Sequence, residues 1–533
     1  MTAYSRFFTF AFIAIAAVLM ALLGTRWWPG YWLAVPLATI ALLGVRDLLQ
    51  TDHSILRNYP VLGHMRWLFE GIRPEIRQYL IENDRDEVPF SREQRSIVYQ
   101  RAKGEEDRRP FGTRHDTDAP GYAWLTHSLA PKSHLDSDFR DRIGGAACAK
   151  PYDASIYNIS AMSFGSLSAN AIRALNEGAR RGGFAHDTGE GGISRHHREP
   201  GGDLIWEIGS GYFGCRDHAG RFDPARFAEN AANEQVKMVE VKLSQGAKPG
   251  HGGVLPGAKV TPEIAEAREV PVGQDCVSPA AHSAFATPIE FMHFLQTLRE
   301  RSGGKPVGFK LCIGHAHEFL ALTKAMLETG IRPDFIVVDG KEGGTGAAPL
   351  EFTNHVGTPL AEGLTFVRNA LIATGLREEV KIGASGKLVT AFDLVWAHAL
   401  GADWANSARG FMFALGCIQA QACHTNRCPV GVATQDPLRQ RALVVEDKAE
   451  RVNRFHANTL KALAEIVGAA GFSHPAELQP HHLMVRQKTG EVIPADRAFP
   501  LLQPGELVNG VCTRPDYQIA WQQARADSFE PAM

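Results

Sequence analysis

The sequence predicts an α/β protein in which a (β/α)8 TIM barrel follows an N-terminal transmembrane helical hairpin. Three observations predict this fold. Two uncharged apolar runs lie within the first fifty residues, short β-branched runs alternate with helical segments from about residue 150, and glycine-rich clusters follow the predicted strands. Alternating strands and helices favour a parallel sheet, and eight such units favour a barrel over a doubly wound sheet.

The apolar runs cover residues 7–24 and 31–45. Each is close to the roughly 17–25 residues that cross a bilayer. Two tryptophans in the intervening turn suit the headgroup region. Two arginines, Arg6 and Arg46, flank the hairpin and one, Arg26, lies in the turn, which weakly favours placing both ends of the hairpin in the cytoplasm. We therefore expect an anchor in the inner (cytoplasmic) membrane, lipid as a partner, and a catalytic domain facing the cytoplasm; a signal peptide is the alternative.

Composition shifts predict four regions. Residues 1–50 form the hairpin, 51–150 a polar linker or cap, 151–470 the barrel, and 471–533 a C-terminal extension. Lys and Arg total 56 against 58 Asp and Glu, for a net charge of −2, and the most basic stretch is interrupted by acids. We therefore expect no nucleic-acid partner.

Eight runs read as barrel strands, with the second and fourth the weakest: 156–161, 184–188, 237–243, 275–278, 307–312, 334–339, 380–384 and 403–407. Apolar spacing of helical period predicts helices over 168–181, 287–301, 315–329, 360–374 and 387–400. Ser168 and Thr287 are suited to cap two of these helices.

Glycine-rich or small-residue clusters follow the strands at 163–168, 188–192, 244–253, 339–347, 383–387 and 407–410. The C-terminal strand ends of a barrel build its active site, so these loops should converge on one ligand. The last two clusters favour a phosphate site, to which Lys387 and Arg409 could add charge. No G-x-G-x-x-G motif opens a dinucleotide-binding unit, so we expect no direct nicotinamide binding.

Three cysteines carry the most specific signal. Cys417, Cys423 and Cys428 have the spacing C-x5-C-x4-C, and Pro429 follows the last. Clustered thiolates followed by proline are typical of an iron–sulfur site. A zinc site would need a fourth ligand such as His424, and the spacing matches none of the common zinc patterns. Three free thiols are the remaining alternative.

Five strings resemble the FMN-binding, 2-oxoglutarate-reducing domain of glutamate synthase, and they occur in order over about residues 150–470. They are NISAMSFGSLS (158–168), TGEGG (188–192), QGAKPGHGGVLPGAKVTPEIA (245–265), GGTGAAPL (343–350) and GCIQAQACHTNRCPVGVATQ (416–435). The chain is most similar in kind to the stand-alone FMN-binding glutamate synthase-like proteins. The chain opens with Met1 and Thr2 and not with the cysteine of a glutaminase, so we expect no glutamine hydrolysis.

The resemblance implies two cofactors and a reaction. FMN would bind in the barrel, and a [3Fe–4S] cluster would be held by Cys417, Cys423 and Cys428. A hydride from the flavin would reduce the imine of 2-oxoglutarate and ammonia to L-glutamate. The electron donor would be a ferredoxin, a reductase subunit or a membrane donor.

The resemblance also implies site residues. Lys310 and Lys248 would be catalytic, with Lys310 placed where a cation stabilises reduced flavin. Lys248 and Arg268 would bind the carboxylates of 2-oxoglutarate, with His251 and Thr287 completing the substrate contacts. The implied FMN contacts are Met162, Ser163, Gln245, Lys310, Gly343, Gly344, Thr345, Ser385, Gly386, Lys387, Arg409 and Gly410.

Two departures from the family pattern bear on the substrate. His251 stands where glutamate synthases typically have an acid, and Val254 where they have a substrate-contacting glutamine. Valine cannot donate a hydrogen bond to a keto acid. An enzyme acting on another amine, similar to N-methylglutamate synthase, is therefore one alternative, and an electron-transfer subunit of a membrane complex is another.

Overall fold

The computed structural model describes residues 5–83, 85, 88–133 and 135–532. The chain divides into two compact units, Met1–Arg92 and Glu93–Met533. The predicted boundaries near residues 50, 150 and 470 stay predictions.

The first unit begins with a helical hairpin. Its helices, Phe8–Gly24 and Gly30–Leu49, pack closely: a Cβ added to Gly30 would lie 2.8 Å from the Gly24 amide nitrogen, and one on Gly44 2.3 Å from the Phe10 ring. Within the described residues, Gly30–Leu49 is the one helix long and apolar enough to cross a bilayer, and Phe8–Gly24 is shorter, with 17 residues. The helical hairpin is confirmed, whereas its membrane insertion stays a prediction.

Asp47 ties the end of the hairpin to the segment that follows. Its buried carboxylate accepts the Val61 amide at 2.9 Å and lies 2.9 Å from His64 Nε2. The helices of this segment are Ser54–Asn58, His64–Ile76 and the π-helical turn Arg77–Ile81.

The second unit contains a closed barrel of eight parallel strands, which confirms the predicted fold class. The strands are β1 Tyr157–Ile159, β2 His186–Asp187, β3 Leu204–Ile208, β4 Val236–Lys242, β5 Val307–Leu311, β6 Phe335–Asp339, β7 Lys381–Ser385 and β8 Trp404–Ser407. β8 pairs with β1 and closes the barrel.

The number of barrel strands was predicted correctly, but one strand was wrong. The predicted strand 275–278 contributes Cys276–Val277, which pairs antiparallel with Val254–Leu255 in a two-stranded sheet outside the barrel. The barrel strand in its place is β3, which was not among the predicted strands. All five β3 residues are nevertheless buried.

Helices surround the barrel at Ala169–Gly182, Arg195–Arg198, Pro224–Ala231, Pro262–Arg268, Pro288–Arg301, Ala316–Thr329, Leu350–His355, Leu360–Ala373, Ala391–Ala399, Arg409–Leu415, Pro437–Gln440 and Val445–Ala469. Both predicted caps are confirmed. Ser168 Oγ accepts the Ala171 amide, and Thr287 Oγ1 accepts the Glu290 amide, each at 3.2 Å. The helix predicted to begin at Lys387 begins at Ala391, because Lys387 has a left-handed φ of 56°.

Further elements flank the barrel. Helix Arg92–Lys103 precedes it, strands Arg140–Ile143 and Tyr152–Ser155 pair antiparallel, and helices Ala495–Ala498 and Pro515–Gln523 follow it. A three-stranded antiparallel sheet joins Ala123–Leu125 to Leu483–Arg486 and Val492–Pro494. The predicted cap and the C-terminal extension therefore share a sheet.

Candidate active site

Two groups of charged side chains lie at the C-terminal ends of the barrel strands. The first, called here the acid cage, consists of Lys310 on β5 with Asp187, Glu207, Glu240 and Asp339 on β2, β3, β4 and β6. The second, called here the cationic pocket, consists of Lys242, Lys248, Arg268 and Glu190.

In the acid cage a single ammonium meets several carboxylates. Lys310, which is 3% exposed, forms an ion pair with Glu207, and its Nζ lies 3.0 Å from Glu240 Oε1 and 3.9 Å from Asp187 Oδ2. Asp339 accepts the Gly246 amide at 2.7 Å. Oxygen atoms of the first three carboxylates lie within 4.8 Å of one another, and the Lys310 ammonium occupies the position that a metal ion would take.

This crowding of like charges in a buried site favours protonation. Burial raises the pKa of Glu240 to about 7, and Glu207 adds to the effect while Lys310 opposes it. Burial also raises the pKa of Asp187 well above its ordinary value. For Lys310 burial alone would lower the pKa, yet Glu207 and Glu240 raise it well above its usual range. The cage therefore favours the charged form of Lys310 and the protonated forms of Glu240 and Asp187.

In the cationic pocket the imbalance is reversed. Lys242 Nζ donates to Glu190 Oε2 at 2.6 Å and to Gln245 Oε1 at 3.2 Å. Burial would raise the pKa of Glu190, but Lys242, Arg268 and Lys248 outweigh it and hold that pKa below its usual value. Glu190 is thus the ionised partner of Lys242.

Lys248 and Arg268 have no such partner. Lys248 is 3% exposed and Arg268 is 4% exposed, and neither has a carboxylate within 4.0 Å among the residues that the structure describes. Arg268 Nη2 donates to Ser163 Oγ and to the Phe164 carbonyl, both at 3.2 Å, and its Nε has no partner there. Three cations against one carboxylate leave two positive charges, which an anionic ligand would balance.

Two of the predicted substrate residues are already engaged. His251 Nδ1 lies 2.8 Å from the Gly252 carbonyl, and the ring stands edge-on to Phe352 at 5.3 Å. The Thr287 hydroxyl accepts the Glu290 amide in a capping box at the start of a helix, and its substrate role stays a prediction.

The predicted FMN contacts lie on loops that meet at the barrel mouth. Ser160 Oγ, near Met162 and Ser163 on the loop after β1, lies 3.4 Å from Ser385 Oγ at the end of β7. The next residues, Gly386 and Lys387, both have positive φ, at 142° and 56°.

The loops after β6 and β8 also meet. Arg409 Nη2 donates to the Thr345 carbonyl at 2.8 Å, and a Cβ on Gly344 would lie 3.2 Å from Arg409 Nε. Gly343 donates to the Gly340 carbonyl at 2.8 Å. A Cβ on Gly410 would lie 2.7 Å from Ser407 Oγ, so this position permits only glycine without a shift.

The three predicted metal ligands lie on residues 416–428, called here the cysteine loop. Cys417 and Cys428 are buried, Cys423 is half-buried, and all three are free thiols. Burial raises the pKa of Cys417 to about 11, and the thiols of Cys423 and Cys428 act in the same direction. Tyr99 donates to the Cys417 carbonyl at 2.6 Å and holds the start of the loop.

Comparison with known proteins decides the family. A family model described as the conserved region in glutamate synthase matches residues 142–473. The chain belongs to the glutamate synthase family. This family member is accordingly an oxidoreductase of the glutamate synthase type.

The relatives differ in the share of their length that matches this chain. YerD of Bacillus subtilis, a glutamate synthase large subunit-like protein, is 39% identical over 505 residues, which is 87% of this chain and 96% of YerD. The archaeal-type glutamate synthase (NADPH) of Thermotoga neapolitana is 38% identical over 319 residues, or 59% of each chain. The chain thus spans about three-fifths of that relative.

Sequence reasoning missed six residues of the two charged groups: Asp187, Glu190, Glu207, Glu240, Lys242 and Asp339. A signal for two of them was present. Glu207 and Glu240 each interrupt an apolar strand, and a charged residue in a fully buried strand requires a partner.

Proposed function

We propose that the protein is an FMN- and [3Fe–4S]-containing oxidoreductase that reduces the imine of 2-oxoglutarate and ammonia to L-glutamate. The cationic pocket carries this proposal. Lys248 and Arg268 are buried at the barrel mouth without a carboxylate partner among the described residues. A 2-oxo dicarboxylate brings two negative charges, which matches the two positive charges that the pocket leaves unbalanced.

The pocket residues divide the work of binding. The Arg268 guanidinium is held from one side by Ser163 and Phe164, so its remaining donors have a fixed direction for a carboxylate. Lys248 provides a second, mobile charge for the other carboxylate. Because Glu190 already pairs with Lys242, these two cations are the ones available to the substrate.

We assign FMN to the barrel mouth. The loop after β1 contacts the end of β7 through Ser160 and Ser385, and the loops after β6 and β8 contact each other through Arg409 and Thr345, so the predicted FMN residues lie on loops at one end of the barrel. When bound, FMN supplies hydride transfer. Imine reduction also consumes a proton, and the acid cage in the same barrel raises the pKa of both Glu240 and Asp187 through burial.

The cysteine loop supports an iron–sulfur cluster because it carries three free thiols within twelve residues of the chain, followed by a proline. We propose that the cluster receives electrons from a ferredoxin, a reductase subunit or a membrane donor. The nitrogen of the product would come from free ammonia or from an amine supplied by a partner.

We further propose that the hairpin anchors the protein in the cytoplasmic membrane, with the catalytic unit in the cytoplasm. The supporting observation is that Trp32, Val35 and Leu42 of the second helix are 65–70% exposed, a surface suited to lipid. Alkaline carbonate extraction of membranes should leave the full chain in the pellet and release a chain lacking residues 1–50. Release of both would contradict the anchor.

The experiment that tests the reaction is anaerobic. Purified protein is reduced chemically, and flavin absorbance is followed after addition of 2-oxoglutarate, ammonium or both. We expect reoxidation only with both, together with L-glutamate; a flavin that stays reduced contradicts the proposal. Lys248→Met should accept chemical reduction but need about 10- to 100-fold more 2-oxoglutarate for reoxidation, whereas a pure electron-transfer subunit would show no substrate-driven reoxidation in either protein.

Val254 favours a second candidate, an alkylamine in place of ammonia. This half-buried side chain is apolar where the family has an amide. Methylammonium tested in the same assay separates the two: faster reoxidation with methylammonium than with ammonium would favour the alkylamine.

A further inference from the structure

Two cations approach the cysteine loop from different parts of the barrel. Lys259 lies in the turn Gly257–Lys259, and Arg409 begins the helix after β8. Neither side chain has a carboxylate within 4.0 Å among the residues that the structure describes. They differ in this respect from Lys310 and Lys242, whose charges are paired with acids.

Lys259 is 3% exposed, and its ammonium donates to the Ser166 carbonyl at 2.9 Å. The turn that carries it touches the cysteine loop directly, since Asn426 Nδ2 donates to the Ala258 carbonyl at 3.4 Å. Burial lowers the pKa of Lys259 to about 8, and the thiols of Cys423 and Cys428 oppose that shift. A buried ammonium satisfied only by a neutral carbonyl is costly unless an anion lies close by.

Arg409 reaches the loop from the other side. Its Nη1 lies 4.0 Å from Cys423 Sγ and 3.4 Å from Met412 Sδ, and its charge acts on Cys417. Through Nη2 it also donates to the Thr345 carbonyl on the loop after β6. The same guanidinium therefore touches both the predicted flavin loop and a predicted cluster ligand.

We infer that Lys259 and Arg409 are the counter-charges of an anionic iron–sulfur cluster on the cysteine loop and that they raise its reduction potential. This inference rests on the proposed function, because it requires the cluster. Each thiolate ligand brings one negative charge, and reduction adds another. Nearby buried cations stabilise the reduced, more negative form, and they act strongly because the site is shielded from water. Both are positioning residues that act through the cluster.

The test uses the full-length protein reconstituted anaerobically with iron and sulfide, and it compares Lys259→Met with Lys259→Arg. The matched control is Lys305→Met. Lys305 is also buried and also donates only to backbone carbonyls, those of Ala231 and Asn233, on a part of the barrel that carries no cysteine ligand. The readouts are iron content per chain and the cluster midpoint potential from a dithionite titration followed by electron paramagnetic resonance.

We expect Lys259→Met to shift the redox equilibrium of the cluster about tenfold toward the oxidised form, which is a fall of about 59 mV for one electron. Lys259→Arg and Lys305→Met should stay near the wild-type potential. Loss of iron in Lys259→Met alone would also support the inference. If Lys259→Met retains both its iron and the wild-type potential, the inference is wrong while the cluster stands. A wild-type protein that binds no cluster overturns both.

Discussion

The acid cage and the cationic pocket lie in the same barrel, and their charge imbalances are opposite. In the cage four carboxylates surround one ammonium, whereas in the pocket three cations surround one carboxylate. β4 contributes to both, since Glu240 and Lys242 are two residues apart and so lie on the same side of the strand. The comparison shows two ways to neutralise a buried surplus of charge. Protons can neutralise the surplus carboxylates of the cage, and an anionic ligand can neutralise the surplus cations of the pocket.

Removing the one cation of the cage should have the largest effect. We expect Lys310→Met to lower the free energy of unfolding by about 3–5 kcal/mol near pH 7, because it leaves buried carboxylates uncompensated. The loss should shrink at acidic pH, where those carboxylates bind protons. Thermal unfolding at pH 5 and pH 8 measures it, with Lys310→Arg as the charge-retaining control. An equal loss at both pH values would show that the carboxylates are not the cause.

The pH dependence of the cage should follow Glu240. Because its pKa is raised from 4.5 to about 7, its stabilising contribution is fully present below about pH 4.5 and is lost as the pH rises through about 7. Glu240→Gln removes this contribution, so the variant should lose less thermal stability than wild type between pH 5 and pH 8. The size should be on the order of 1–3 kcal/mol. Parallel pH profiles for the two proteins would contradict the assignment.

In the pocket a lost cation should weaken substrate binding without unfolding the protein. We expect Lys248→Met to raise KM for 2-oxoglutarate about 10- to 100-fold, since a hydrogen bond to a charged group contributes about 1.5–3 kcal/mol. Its melting temperature should not fall, because Lys248 has no carboxylate partner to lose among the described residues. Steady-state kinetics measures KM and thermal unfolding measures the melting temperature. Lys305→Met serves as the control. An unchanged KM would remove Lys248 from the substrate site.

The smallest effect belongs to Thr287, which lies outside both groups. Thr287→Ala should cost about 1 kcal/mol of stability through the lost helix cap and should leave KM unchanged. Thr287→Ser, which retains the capping hydroxyl, should behave like wild type. A raised KM in Thr287→Ala at unchanged stability would show that Thr287 contacts the substrate and does not act only as a helix cap.

Local patterns predicted much of the fold. Ser168 and Thr287 cap the helices that they were expected to cap, and seven of the eight barrel strands overlap the predicted ones. These features depend on residues close in sequence, whose spacing is visible without a structure. The exception is β3, which contains Glu207 and overlaps no predicted strand.

The acid cage was missed because its side chains come from different strands. Glu207 and Glu240 stand opposite each other because β3 and β4 pair in register, and Lys310 joins them from β5. Such a group depends on which strands are neighbours, and 103 residues separate Lys310 from Glu207. By contrast, Lys248 and Arg268 were found through family strings, because those strings preserve the spacing of the loops that carry them.

The most direct test of the account is the ligand preference of the cationic pocket. Isothermal titration calorimetry on the oxidised protein compares 2-oxoglutarate with 2-oxobutyrate, which keeps the keto acid but lacks the second carboxylate. Because the pocket leaves two positive charges unbalanced, we predict that 2-oxoglutarate binds at least about tenfold more tightly, and that Lys248→Met abolishes the difference. Equal affinity for the two acids in the wild-type protein would contradict a dicarboxylate site and with it the proposed substrate.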